Sequence, residues 1–100
     1  MADDLSFRLN EDLRRYEVLA AGSLAGYTEI QAHGGTVAFT HTRVFDDFAG
    51  QGLAGRLVGQ ALEDVVAGGR KIVPYCEYVA GWLHKHPEYE PHVEWPESPE

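Results

Sequence analysis

One hundred residues, 44% of them hydrophobic and 24% charged, are enough for one hydrophobic core and too apolar for a disordered chain. The net charge of −8 argues against a nucleic-acid partner, whose phosphates demand a basic surface, and no apolar run nears the ~20 residues that cross a bilayer. The lone cysteine, Cys76, rules out an internal disulfide and fits a reducing compartment. Met1-Ala2-Asp3-Asp4 is acidic and carries no signal-peptide h-region. The expectation is a soluble, cytoplasmic protein with no membrane and no nucleic-acid partner, built as a single domain over residues 1–100. Residues 43–86 balance five bases against five acids, so the acidic excess lies before and after that stretch. An anionic ligand bound within it is compatible with the overall charge.

In chain order, residues 5–9 read as a short first strand and Asn10–Arg14 as its connection. Tyr16–Ala20 alternates, Ala21-Gly22-Ser23 is a turn, and Leu24–Ala32 is a second extended run. His33-Gly34-Gly35 is another turn. Thr36–Phe45 then gives the clearest strand pattern. Strict alternation predicts Val37, Phe39 and His41 on one face, with Thr36, Ala38, Thr40 and Thr42 on the other. These strands are expected to pair as an antiparallel meander. Beyond residue 53 the period changes. Ala54, Leu57, Val58, Ala61, Leu62, Val65 and Val66 fall at helical spacing, and Gly68-Gly69 supplies the stop. Arg70–Tyr75 reads as a strand, parallel to Thr36–Phe45 by the strand–helix–strand rule. A second helix is predicted over Tyr78–His86, ending before Pro87, and the chain from Glu90 onward is expected to be irregular.

Gly50-Gln51-Gly52-Leu53-Ala54-Gly55 stands between the best strand and the best helix. Glycines there let a ligand approach the backbone, and the first N–H groups of a helix point at an anion with the helix dipole behind them. The spelling G-x-G-x-x-G fits a dinucleotide site poorly. The strand before it alternates instead of being apolar on both faces, and the positions about 20 residues on are Lys71–Tyr75, with no acid for a ribose. No Gly-Lys-Ser/Thr follows, which excludes a P-loop. A tight turn with close helix packing remains the plainer explanation, but a helix opening on three glycines costs about 0.5–1 kcal/mol for each glycine in a regular element.

Several short motifs occur together and in order: Arg15-Tyr16-Glu17-Val18, His41-Thr42-x-Val44, Gly50-x-Gly52-Leu53-Ala54, Val73-Pro74-x-Cys76-x-Tyr78-Val79 and His86-Pro87-Glu88-Tyr89. Jointly they resemble the compact, single-domain members of the GNAT acyl-CoA N-acetyltransferase superfamily over roughly residues 7–93. Gly52 and Ala54 match the end of that superfamily's Arg/Gln-x-x-Gly-x-Gly/Ala signature, while Ala49 stands where Arg or Gln is usual. The resemblance implies an α/β (α+β) fold: a GNAT-like core, mostly antiparallel, with two helices and a final parallel pair splayed for coenzyme A. It implies acetyl-CoA or coenzyme A as ligand, with the pyrophosphate on the N–H groups of Gln51–Gly55. The pantetheine would lie between the strand ends near Val44, Phe45 and Cys76. Gly50 belongs to the same turn, Tyr78 and His86 are expected at the cofactor, and His86 with Tyr89 is expected to close the active-site wall or cap the second helix.

Pro74 removes a ladder donor from an otherwise central strand, as a site where strands splay apart tolerates. Cys76 follows the last apolar strand residues, close to where the thioester is expected. It is read as a thiol able to accept the acetyl group, with His41 as the nearest base by pattern. The simpler route is direct attack of an amine on the thioester, with a base or water taking the proton and a backbone N–H polarising the carbonyl. Metal binding is not expected, since His84 and His86, two residues apart on a helix, point about 200° away from each other. Asn10–Arg14 leaves no room for the helices that larger GNAT enzymes carry between their first two strands, so the acceptor side is expected to be open. The leading expectation is an acetyl-CoA-dependent N-acetyltransferase acting on an amine, as a monomer or weak dimer. A CoA-binding module without turnover is the alternative, and a purely structural domain the third reading.

Overall fold

A computed structural model of the chain describes residues 4–96. Strands β1 (Leu5–Asn10), β2 (Arg15–Ala20), β3 (Ser23–His33), β4 (Thr36–Val44) and β5 (Lys71–Pro74) form one sheet in chain order. The first three pairings are antiparallel and β4–β5 is parallel. Short turns suffice for the antiparallel neighbours; Ala21 and Gly22, both at positive φ, close the β2–β3 hairpin. The parallel step needs a crossover, and helix α1 (Leu53–Ala67) supplies it. Leu53, Leu57, Val58, Ala61, Leu62 and Val65 recur at helical spacing and are buried with Val18, Val37, Phe39 and Ile72 of the sheet. Gly68 and Gly69 end the helix, Gly69 at φ +78°.

Helix α2 (Glu77–His84) lies beside α1 and runs parallel to it. The Tyr78 hydroxyl sits over Gly55, and one turn further on Trp82 sits over Gly59. A Cβ at Gly59 would come within 3.2 Å of the Trp82 ring, so glycine there makes room for it, while at Gly55 the contact with Tyr78 would be an ordinary 3.4 Å. Both helices therefore begin at the same end of the sheet.

The structure corrects the sequence reading in three places. Helix α2 spans Glu77–His84 instead of Tyr78–His86, because the residue before Pro87 leaves the helical region: His86 takes φ −131° and ψ 71°. The stretch from Glu90 is not wholly irregular. Pro87–His92 forms a 3-10 turn, Val93 bridges Ile72 in parallel, and the Glu94 N–H donates to the Ile72 carbonyl at 2.8 Å. Finally, His41 does not share a face with Val37 and Phe39. On β3, Glu29 pairs with His41 and the next residue, Ile30, pairs with Phe39, so Thr40 is an extra, bulged residue. The Thr40 hydroxyl donates to the Glu29 carbonyl at 3.4 Å. One inserted residue inverts the alternation beyond it, turning Thr42 toward the core and His41 to the sheet's outer face.

Candidate active site

The β4–β5 ladder stops at Phe39 and Pro74. Proline has no N–H to continue it, and the Cys76 N–H donates to the Phe39 carbonyl at 2.8 Å as the chain leaves β5. β4 runs on to Val44, so its last residues have no β5 neighbour. This leaves a gap in the strand pairing between the end of β4 and the start of α2.

The glycine turn lies between the end of β4 and the start of α1, at this same end of the sheet. Gly50 has φ +82° and Gly52 has φ +73°, values that L-residues adopt at a cost. A Cβ at either glycine would meet nothing within 4 Å, so backbone conformation, not crowding, calls for glycine there. Gly52 is the N-cap of α1, no side chain caps that end, and no acid occupies its first turn. The first N–H groups of α1 are thus left for an external acceptor. Leu53 is buried and anchors the helix start; Gln51 is exposed. Cys76 is the N-cap of α2, again without a side-chain cap. Two parallel helices without side-chain caps thus begin at the same end of the sheet.

Inside the gap the Cys76 thiol is buried and 3.3 Å from the Thr42 hydroxyl, which lies 2.9 Å from the fully buried Thr28 hydroxyl. Alternation along β4 gives no sign of this thiol–hydroxyl–hydroxyl chain, although Thr42 sits in the His41-Thr42-x-Val44 motif. The bulge at Thr40 hid it by inverting the phase. The His41 ring is on the other side of β4, 6.3 Å from the Tyr27 ring. Phe45 also meets Tyr27, at 6.1 Å, and carries the Arg43 guanidinium 5.0 Å above its ring. Val44 packs on the core.

The structure brings Val44, Gly50–Gly55, Cys76 and Tyr78 to the same end of the sheet. His86 stands apart, beside Trp82 and Gly59, about 10 Å along α1 from Gly52 at 1.5 Å per residue. Its ring stacks on the Trp82 indole at 3.6 Å, and its Nδ1 donates to the Trp82 carbonyl at 2.7 Å. A carbonyl can only accept, so this bond puts a proton on Nδ1 and closes the C-terminal end of α2. No cluster of His, Cys, Asp or Glu suited to a metal ion occurs among the described residues.

The family model of the GCN5-related N-acetyl-transferases matches residues 15–92. The chain belongs to the GCN5-related N-acetyltransferase family. A GCN5-like protein of Staphylococcus aureus, with a solution structure from NMR, superposes with a TM-score of 0.70 at 18% identity, covering 96% of this chain and 94% of that one. An aminoglycoside acetyltransferase from an uncultured soil metagenomic sample, in complex with sisomicin, gives a TM-score of 0.54 at 12% identity over 86% of this chain and 62% of that one. No curated protein sequence matches. These likenesses agree on the fold, and family membership makes acetyl transfer the general chemistry of this GNAT chain. No helix among the described residues is long and apolar enough to cross a membrane.

Proposed function

We propose that this GNAT chain is an acetyl-CoA-dependent N-acetyltransferase acting on an amine. The observation that carries the reading is that α1 and α2 begin, free of side-chain caps, at the end of the sheet where the β4–β5 pairing stops at Phe39 and Pro74. The turn Gly50–Gly55 would hold the pyrophosphate through backbone N–H groups, which Gly50 and Gly52 expose by their left-handed conformation. Val44, Phe45 and Tyr78 would flank the pantetheine; His86, closing the end of α2, lies outside this group. Acetyl-CoA supplies a thioester, an acyl group already activated toward amines.

The chain's own contribution is placement and polarity. A thioester carbonyl oxygen set against the first N–H groups of α2 would be polarised by them. In direct transfer, the amine nitrogen bonds to the acetyl carbon, the C–S bond breaks, and the departing thiolate takes up a proton. His41 is not placed as the base of Cys76, whose neighbour is the Thr42 hydroxyl. An acyl-Cys76 route remains the second mechanism, with Thr42 as the group that orients the thiol.

A thermal-shift titration with acetyl-CoA, coenzyme A and longer acyl-CoAs tests the binding. At ligand roughly 100-fold above Kd a native-state binder gains about 2.7 kcal/mol of stability. Absence of any shift overturns the proposal. Turnover against a panel of amines separates an enzyme from a module that binds without reacting. The fold neighbour that acts on aminoglycosides makes small-molecule amines the first panel.

A further inference from the structure

At the opposite end of the sheet a cavity of ≈ 620 Å³ opens between β2, the end of β3 and the segment that follows α1. It reaches Val37, five residues before Thr42 on β4, about 16 Å from the Cys76 gap at 3.3 Å per residue. Its floor is apolar, built from Ile30, Val37 and the buried ring of Tyr16. Two arginines, Arg14 and Arg70, are among its lining residues. Among the described residues neither forms a salt bridge. Glu11 is the one acid in the lining. The nearby Asp64 carboxylate already accepts the Tyr16 hydroxyl at 2.7 Å. Two arginines without a salt bridge lining one hollow are the first observation.

Arg14 adds a second. Its φ is +54°, in the region that favours glycine, and its carbonyl accepts the Ile30 N–H at 2.9 Å. The fold alone would be served at least as well by glycine, which has no Cβ to strain. The arginine there adds a charged side chain to the cavity lining. Guanidinium groups match carboxylates through paired N–H donors, and the volume is that of a small-molecule site.

We propose that this cavity is a second ligand site, for a small organic carboxylate whose charge sits between Arg14 and Arg70 and whose apolar body rests on Tyr16, Ile30 and Val37. The site is independent of the acetyl-transfer reading.

The test is an amide NMR titration of the intact protein with phenylacetate and, as the neutral control, phenylacetamide. Saturable shifts are expected at Gln31, His33, Val37 and Arg70, with Gly52–Gly55 unmoved, and no saturation with phenylacetamide. Arg14→Gly and Arg70→Gln should each weaken phenylacetate binding about tenfold or more, the loss of a charge-assisted hydrogen bond. Arg14→Gly should do so without lowering Tm, since it relieves the backbone, which separates lost binding from lost folding. Absence of saturable shifts with millimolar phenylacetate, equal binding of phenylacetamide, or unchanged affinity in both variants would overturn the proposal. A parallel acetyl-CoA titration reads out at Gly52–Gly55, so either site can fail without the other.

Discussion

The Thr42 hydroxyl stands 3.3 Å from the Cys76 thiol and joins it, through Thr28, to the middle of the sheet. The three groups lie on neighbouring elements, β3, β4 and the start of α2, at the point where the β4–β5 pairing has just ended. Thr42→Val keeps the shape and removes the hydroxyl, leaving the buried Thr28 hydroxyl without its partner. We expect a loss of about 1–3 kcal/mol in denaturant unfolding, the cost of an unsatisfied buried polar group. Thr28→Val in the same background should recover part of that loss, and a double-mutant cycle showing simple additivity would dissociate the two residues.

Cys76 separates the two chemical routes. With acetyl-CoA added, intact mass should show whether an acetyl group remains on the protein. An adduct abolished by Cys76→Ala, together with lost turnover, selects the acyl-enzyme. A fully active Cys76→Ala without any adduct selects direct transfer.

Gly52→Ala should cost stability and ligand affinity unequally. The left-handed conformation costs an L-residue roughly 1–2 kcal/mol, and no neighbouring atom adds to that. If the turn holds a pyrophosphate, the acetyl-CoA-induced thermal shift should shrink beyond what lost stability explains. A variant of unchanged ligand response would remove the turn from the site.

Gly26→Ala acts by crowding. A Cβ there would lie 2.6 Å from the Arg43 carbonyl oxygen and 3.1 Å from the Val44 Cα, both backbone atoms that cannot rotate away. The end of β4 must move, and a loss of about 1–3 kcal/mol or more is expected in thermal unfolding. Retained wild-type stability would mean that the two strands approach less closely.

Glu17 sets a pH dependence. Its carboxylate is buried, accepts Arg8 at 2.6 Å, Arg15 at 2.7 Å and Asn10 at 3.0 Å, and lies on the outer side of the sheet. Burial alone pushes its pKa up, but the hydrogen bonds from Arg15, Arg8 and Asn10 outweigh burial and hold it below the ordinary 4.5. A depressed carboxylate pKa stabilises the folded state fully above the unfolded value, and that stability is lost as pH falls through the folded one. Unfolding experiments from pH 6 downward should therefore show a decline setting in near 4.5 that Glu17→Gln flattens. At pH 7 the same substitution should cost about 1–3 kcal/mol, toward the lower end because Arg8 is largely exposed to solvent.

Much of this molecule can be read from short stretches of chain. The meander, the crossover helix with its Gly68-Gly69 stop, and the glycine turn between strand and helix follow from alternation, helical spacing and turn residues, each a matter of neighbours a few positions apart. Pro74 likewise announced where the parallel ladder would end. The phase of β4 beyond Thr40 was not legible, because a bulge depends on how two strands are registered and leaves alternation in one of them intact. That single residue exchanged His41 for Thr42 as the neighbour of Cys76. His86 closes α2 because Trp82 and Pro87 flank it in space, a role its motif alone left open. Local pattern thus determined which elements form and in what order. Only packing decided which side chains meet in the gap, and which cavity at the far end gathers Arg14 and Arg70, because those contacts join residues that the chain itself keeps far apart.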